Sequence, residues 1–130
     1  MPATARMSDD PRHTLGSVGE EIACTELQRL GYAILARRHR TRYGEIDIIA
    51  RDAGTTVFVE VKTRAGDDFG TGAESVAPWK QQRLARMAID YAARHGLLDT
   101  PCRVDVVAVT VGAGAPRIEV FRNAFDVRAT

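Results

Sequence analysis

Charged side chains occupy strand-like segments of this sequence at positions where charges are seldom placed. The segment Thr55–Thr63 is rich in β-branched residues. Alternation along a strand divides it into a valine face and a second face that carries Phe58, Glu60 and Lys62. A valine face belongs in a core, whereas a carboxylate and an ammonium group in mid-strand need a chemical or structural reason. Glu60 and Lys62 are therefore candidate functional residues.

The preceding segment, Glu45–Arg51, shows the same anomaly. Alternation predicts that Glu45 and Asp47 share one face of this strand. The same alternation predicts that Ile46 and Ile48 share the opposite face, which would lie against a core. Asp47 is therefore the second candidate carboxylate.

The two carboxylates come close if the strands pair. The residues Asp52-Ala53-Gly54 predict a turn, and a hairpin around it can set Asp47 beside Glu60. Two carboxylates about 4 Å apart repel by roughly 4 kcal/mol at an effective dielectric near 20. A raised pKa on one carboxyl group or the Lys62 ammonium could relieve this repulsion, and a divalent cation relieves it with both groups ionised.

Oxygen ligands without a nearby histidine or thiolate favour Mg²⁺ or Mn²⁺ over zinc. Such an ion can polarise a phosphoryl oxygen and lower the pKa of a bound water, so the pattern indicates phosphoryl chemistry. An alternative stays open at this point. Glu60 and Lys62 could be an exposed edge-strand pair, with Asp47 merely capping a hairpin.

Apolar periodicity predicts the elements that position these residues. Three- and four-residue steps predict helices over Leu15–Leu30 and from about Pro78 to His95, each followed by a glycine. The predicted strands are Tyr32–Arg38, Glu45–Arg51, Thr55–Thr63, Arg103–Val111 and Arg117–Phe121. The nearly continuous β-branched run Arg103–Val111 is typical of a strand buried on both faces. The order α-β-β-β-α-β-β predicts an α/β domain with a mixed central β-sheet flanked by helices.

Length and composition indicate one globular domain of 130 residues. We expect this domain over residues 14–126, after a disordered tail over residues 1–13 that carries charges and prolines. No apolar run approaches the roughly 20 residues needed to span a membrane. Cys24 and Cys102 have no partner at metal-ligand spacing. We interpret them as small apolar side chains in a reducing compartment, and expect a cytoplasmic protein.

The ordered motifs resemble those of the PD-(D/E)XK nuclease superfamily. The matching segments are Gly44-Glu45-Ile46-Asp47-Ile48-Ile49-Ala50 and Val57-Phe58-Val59-Glu60-Val61-Lys62. From roughly Gly16 to Phe125 the chain is more closely similar to the YraN-like family of small bacterial proteins, which resemble archaeal Holliday junction resolvases. The further matching residues are Gly19-Glu20, Val76, Lys80, Arg103, Asp105-Val106 and Asn123-Ala124-Phe125.

The resemblance implies a restriction-endonuclease-like fold with a metal site. Asp47 and Glu60 would be ligands of Mg²⁺ or Mn²⁺, Lys62 the catalytic lysine, and Glu20 the first-helix residue that completes the site. Glu45 is left open as a second ligand or a bystander. The implied activity is that of a metal-dependent endonuclease on DNA, branched DNA in particular, and resolvase-like relatives imply a homodimer. The alternative is a nucleic-acid-binding accessory protein that keeps the fold but does not cleave.

Basic residues crowd the segment before Asp47, and they predict a nucleic-acid contact. The formal net charge is only +1, so affinity for a polyanion must come from local clusters of charge. We predict phosphate contacts from Arg38, Arg40, Arg42 and Lys80, against the alternative that these residues form a solvated face. Trp79 could stack on a base, but packing is the preferred interpretation for an aromatic residue at a helix start.

Overall fold

The computed structural model describes residues 11–66 and 77–125, and its elements follow the predicted order. The helices are α1 (Pro11–Arg29) and α2 (Pro78–Arg94). The strands are β1 (Ala33–Thr41), β2 (Gly44–Asp52), β3 (Thr55–Ala65), β4 (Cys102–Val111) and β5 (Arg117–Phe125). The predicted α/β class is confirmed. Helix α1 begins at Pro11, before the predicted start, whereas residues 1–10 of the predicted tail and the motif residue Val76 lie outside the described residues.

The five strands form one mixed sheet in the order β1-β2-β3-β4-β5. Three neighbouring pairs are antiparallel, whereas β3 and β4 run parallel, with α2 in the connection between them. β3 therefore lies inside the sheet, between β2 and β4. This position excludes the alternative in which Glu60 and Lys62 form an exposed pair on an edge strand.

Each face of the sheet has its own apolar core beneath one helix. On the α1 side, Ala23 and Leu27 pack with sheet residues that include Val57 and Val59. On the α2 side, the core comprises Ile46, Ile49, Phe58, Leu84, Met87, Ala88, Tyr91 and Val104. The valine face and the phenylalanine face predicted for β3 are therefore confirmed. β4 is buried continuously from Val104 to Val109, as predicted for a strand covered on both faces.

Strand β2 departs from the predicted alternation. Ile46 packs in the α2-side core and Ile48 in the α1-side core, although the two are separated by a single residue. In the β1–β2 ladder, Arg37 pairs with Ile48 and His39 pairs with Ile46, but Arg38 and Asp47 between them are not paired. Arg38 has a left-handed φ of 52°. The prediction that Ile46 and Ile48 share a face is therefore wrong. Asp47 lies between the two residues that face opposite cores.

A glycine follows each helix, as predicted. Gly31 has a φ of 98°, and beside it the Tyr32 N–H donates to the Leu27 carbonyl at 2.9 Å. Gly96, with a φ of 67°, follows α2 in the same left-handed conformation. In the described part of the chain, neither helix combines the length and the apolar character that a membrane crossing requires.

The cysteines agree only in part with the prediction of two buried apolar side chains. Cys24 is buried in the α1-side core, whereas Cys102 is half-buried at the start of β4. Both are free thiols. Burial raises the pKa of the Cys24 thiol, which keeps it in the neutral form that suits an apolar core.

Helix α1 lies directly against strand β3 at Gly19. A Cβ atom at this position would lie 2.8 Å from both Cβ and Cγ2 of Thr63 in β3 and would collide with the Thr63 hydroxyl. Contacts this short are not tolerated, so only glycine allows the helix backbone to rest on the strand. The close approach brings the next residue, Glu20, to the end of the sheet where Asp47 lies.

Gly19→Ala is expected to lower the free energy of unfolding by roughly 1–3 kcal/mol, the usual cost of overpacking a well-packed contact. The matched control is Gly16→Ala in the same helix, because a Cβ there has no neighbour within 4 Å. Alanine at that position should raise stability by up to about 1 kcal/mol through helix propensity. Urea unfolding of both variants measures the difference. Equal stabilities would show that α1 can shift away from Thr63 without cost.

Candidate functional site

Asp47 and Glu60 meet where β2 and β3 separate. The last registered pair of these strands is Ile48↔Val59. Beyond it the Val61 N–H donates to Asp47 Oδ2 at 2.8 Å, so a side chain satisfies the donor where a ladder bond would be expected. The carboxyl groups of Asp47 and Glu60 are also close enough to share a hydrogen-bonded proton. The structure thus brings together the two carboxylates that the hairpin prediction placed side by side.

Burial dominates the electrostatics of Asp47. It raises the pKa of this carboxyl group to about 8, and the negative charge of Glu60 acts in the same direction. The hydrogen bond from Val61 lowers the pKa, but it does not offset these effects. Glu20, on α1, adds a smaller increase through its charge. Asp47 therefore remains largely protonated at neutral pH.

Glu60 is affected by burial and by three cations. Burial raises its pKa, whereas the charges of Lys80, Arg83 and Lys62 lower it, in decreasing order of effect. Lys80 Nζ lies 4.0 Å from Glu60 Oε2. Glu60 is therefore the member of the pair that ionises first, and the shared proton resides mainly on Asp47.

Lys62 lies on the same face of β3 as Glu60 and is half-buried. Its charge helps to lower the pKa of Glu60, although less than the charge of Lys80 does. Among the residues that the structure describes, no carboxylate lies within 4.0 Å of its ammonium group. Lys62 therefore has a charge that can act on a further anionic group beside Glu60.

Glu20 is held by an arginine rather than joined to the carboxylate pair. Arg38 Nε donates to Glu20 Oε1 at 2.9 Å, and Arg38 Nη2 donates to Ser17 Oγ at 2.9 Å. Over residues 11–66 and 77–125, no three Asp, Glu, His or Cys side chains converge as a group that could hold a metal ion. Glu20 is near enough to act on Asp47 through its charge, but it would have to leave Arg38 to join Asp47 and Glu60.

The predicted basic cluster is largely charge-paired. The contacts are Arg37 Nη1–Glu21 Oε2 at 3.2 Å, Arg38–Glu20, Arg40 Nη2–Glu45 Oε2 at 2.8 Å, and Arg42 Nη2 with the Tyr43 hydroxyl at 2.9 Å. Three of these four arginines therefore face a carboxylate, and their net attraction for phosphate is smaller than the sequence pattern indicates. Glu45, left open as a ligand, is the partner of Arg40.

Comparison with known proteins identifies the family. A model of the "Uncharacterised protein family UPF0102" matches residues 19–109. The chain belongs to the UPF0102 family. This confirms the predicted membership of the YraN-like family, which is the same family. The matched segment of the UPF0102 protein begins at Gly19, and it contains Glu20, Asp47, Glu60, Lys62 and Lys80.

The UPF0102 protein is similar to relatives from several bacteria. A UPF0102 protein of Anaeromyxobacter dehalogenans is 47% identical over 117 residues, which cover 90% of this chain and 87% of the relative. A UPF0102 protein of Symbiobacterium thermophilum is 51% identical over 112 residues, which cover 85% of this chain and 95% of the relative. Among solved structures, Pyrococcus furiosus SfsA in complex with Ca²⁺ is 15% identical, with a TM-score of 0.42, over 85% of this chain and 63% of that chain.

A second polar cluster of the UPF0102 protein lies around Asp105, for which the motif comparison gave no role. Asp105 is completely buried and accepts hydrogen bonds from the Tyr32 hydroxyl at 2.8 Å, Arg103 Nε at 3.0 Å and the Asn123 N–H at 2.9 Å. Arg103 Nη2 also donates to Asp52 Oδ2 at 2.8 Å. This cluster ties the turn end of β2 to β4 and β5, and its fully satisfied bonds indicate a structural role. The sequence signal that could have predicted this cluster is an aspartate within a valine-rich strand, two residues after an arginine.

Proposed function

We propose that this UPF0102 protein is a metal-dependent DNA endonuclease that hydrolyses phosphodiester bonds, with branched DNA as its substrate. The observation that carries the proposal is the pair of Asp47 and Glu60, which meet on an inner part of the sheet, where β2 and β3 separate, beside Lys62. Two half-buried carboxylates in contact destabilise a fold when both are ionised. Strongly raised pKa values in such a pair are typical of functional sites.

The donor set of this pair suits a hard divalent cation. Asp47 and Glu60 offer only oxygen atoms, and Mg²⁺ is commonly held by one or two carboxylates while water and phosphate complete its coordination. Both carboxylates can be ionised together once a cation replaces the shared proton. Bound to Asp47 and Glu60, Mg²⁺ or Mn²⁺ would lower the pKa of a water molecule and polarise a phosphoryl oxygen.

The two lysines of the site have different roles in this proposal. Lys80, 4.0 Å from Glu60, lowers the pKa of that carboxyl group and favours its ionised form. Lys62 projects from the same strand face as Glu60 without a carboxylate partner in the described residues, so it is available to a phosphate bound at the pair. There its ammonium would stabilise the negative charge that develops in the transition state.

One observation favours a second candidate function, that of a nucleic-acid-binding accessory protein that does not cleave. Glu20 would complete the ligand set, but it is bound to Arg38 at 2.9 Å. As long as this ion pair persists, the residues that the structure describes offer two carboxylates to an ion at Asp47. A site that stays incomplete in this way can bind an ion weakly and lack activity.

Incubation of the purified protein with linear, flapped and four-way DNA separates the two functions. With Mg²⁺ or Mn²⁺ we expect cleavage that EDTA abolishes. Glu60→Gln should reduce the rate on the order of 10² or more, because the amide can neither carry the charge nor hold the ion. Glu26→Gln is the matched control, since Glu26 pairs with Arg29 within α1. Binding of DNA without cleavage under any of these conditions would favour the accessory protein.

A further inference from the structure

Trp79 is a large aromatic side chain that the fold does not use for packing. It lies at the start of α2, is 60% exposed and belongs to neither apolar core. The interpretation of Trp79 as a packing residue is therefore wrong. Arg83, one helical turn later, places its guanidinium carbon 5.0 Å from the centre of the Trp79 ring. An exposed ring supported by a cation is a surface suited to a planar ligand.

This surface adjoins the carboxylate pair. Lys80, the neighbour of Trp79 in sequence, has its Nζ 4.0 Å from Glu60 Oε2. Arg83, which lies on Trp79, is close enough to Glu60 for its charge to lower the pKa of that carboxyl group. The first turns of α2 therefore form one side of the site, with Trp79 at their outer end.

A second aromatic ring and cation lie next to the first. Arg42 has its guanidinium carbon 5.0 Å from the centre of the Tyr43 ring, in the turn between β1 and β2. Arg83 connects the two groups, because its Cδ and Nε lie 3.7 Å from the position that a Cβ atom would take on Gly44. The rings of Trp79 and Tyr43, with Arg83 and Arg42, thus form one aromatic and cationic surface.

We propose that this surface binds an unpaired base of the DNA substrate by stacking it on Trp79, with Arg83 and Arg42 available to the adjoining phosphates. This inference rests on the proposed function, and it defines the substrate as DNA with a single-stranded segment beside the cleaved bond. Inside a duplex both faces of every base are covered by neighbouring bases. Only an unpaired, terminal or extruded base can offer a face to the indole ring.

Charge balance supports stacking as a source of affinity. The protein has a net charge of only +1, and Arg37, Arg38 and Arg40 already face carboxylates. The basic segment before Asp47 therefore has less charge left to attract a duplex through its phosphates alone. Each stacked base contributes about 1–3 kcal/mol without any need for further positive charge.

The test uses the intrinsic fluorescence of Trp79, which is the only tryptophan in the sequence. Titrations are carried out on the full chain in EDTA, so that cleavage has no part in the result. A short oligothymidylate should quench the fluorescence, because a base in stacking contact with the excited indole ring lowers the emission of that ring. A blunt duplex of the same length should quench it much less, because only its two terminal base pairs expose a face. A duplex that quenches as strongly as the oligothymidylate would overturn the inference.

Variants test the same contact through the affinity for labelled oligothymidylate. Trp79→Ala should weaken binding roughly 5- to 100-fold, the equivalent of one lost stacking contact. Trp79→Phe keeps an aromatic face and should lose less. Leu98→Ala is the matched control, because Leu98 is also a large apolar residue that is 60% exposed, and its affinity should equal that of the wild type.

The outcomes separate this inference from the proposed function. If Trp79→Ala weakens binding and the wild type cleaves no DNA, the base contact is supported while the endonuclease proposal fails. If the wild type cleaves and Trp79→Ala binds oligothymidylate and flapped DNA as tightly as the wild type, the endonuclease proposal stands and the base contact is overturned.

Discussion

Lys62→Met is expected to lower the single-turnover rate of DNA cleavage by roughly 10²–10³, the usual loss when one preorganised donor is removed. Methionine keeps an unbranched stem of similar length, so the change removes the charge and largely preserves packing. Lys62 is half-buried on the strand face of Glu60 and has no carboxylate partner among the described residues. Affinity for DNA should change little, because one phosphate contact is a small part of the binding energy.

Lys80→Met is the informative comparison for Lys62→Met. Lys80 is the cation that lowers the pKa of Glu60 most, so its loss should move the rise of the pH–rate profile to higher pH. Lys62→Met should instead depress the rate at every pH, because its main effect is on the transition state. Cleavage by Lys62→Met at the wild-type rate would leave the endonuclease intact and remove Lys62 from the mechanism.

Asp47→Asn is expected to make the protein more stable than the wild type at alkaline pH. The pKa of Asp47 is raised from 3.8 to about 8 in the folded protein, so the folded state holds its proton more tightly than the unfolded state. This contribution to stability is complete below about pH 4 and is lost as the pH rises through about 8. Asparagine is neutral throughout, and its carbonyl oxygen can still accept the Val61 hydrogen bond.

Thermal unfolding between about pH 5 and pH 9 measures this difference. The wild type should lose stability across the range, whereas Asp47→Asn should lose much less. Asp90→Asn is the matched control, because Asp90 forms an ion pair with Arg94 within α2 and is not among the groups that shift the pKa of Asp47 or Glu60. Parallel pH curves for the wild type and Asp47→Asn would contradict the raised pKa of Asp47.

The same variant tests the metal site. Mn²⁺ at about 100 times its dissociation constant should stabilise the wild type by about 2.7 kcal/mol, which raises Tm by roughly 10 °C for a domain of this size. The increase should be largest at alkaline pH, where no proton competes for the carboxylates. Asp47→Asn should show little increase, and Asp90→Asn should respond like the wild type. An equal response in Asp47→Asn would place the ion elsewhere.

The predictable part of the site depends on local signals. The turn at Asp52-Ala53-Gly54 sets the register of β2 and β3, and the valine alternation of β3 assigns its faces. Together they bring Asp47 opposite Glu60, and both signals are contained within one hairpin. The order of helices and strands was predictable for the same reason, because each element has its own periodicity and its own flanking turn residues.

The unpredictable part depends on contacts between distant segments. Opposite the point where β2 changes faces, Arg38 of β1 has a left-handed conformation, and an arginine gives no sign of it, whereas a glycine would. Arg38 also binds Glu20 from a position 18 residues away, a contact that neither local sequence predicts. The exposure of Trp79 was equally unpredictable, since an aromatic residue at a helix start can be either buried or exposed.

From the parallel contact between β3 and β4 we expect two parts of the chain to fold at different speeds. Asp47, Glu60 and Lys62 all lie in the β1–β2–β3 meander, whose strands follow one another through tight turns. β4 can join only after the long connection from Ala65 to Cys102 has closed, and closing it costs chain entropy. We therefore expect the two carboxylates to meet before the core is complete, so that at alkaline pH their repulsion would slow folding as well as destabilise the folded state.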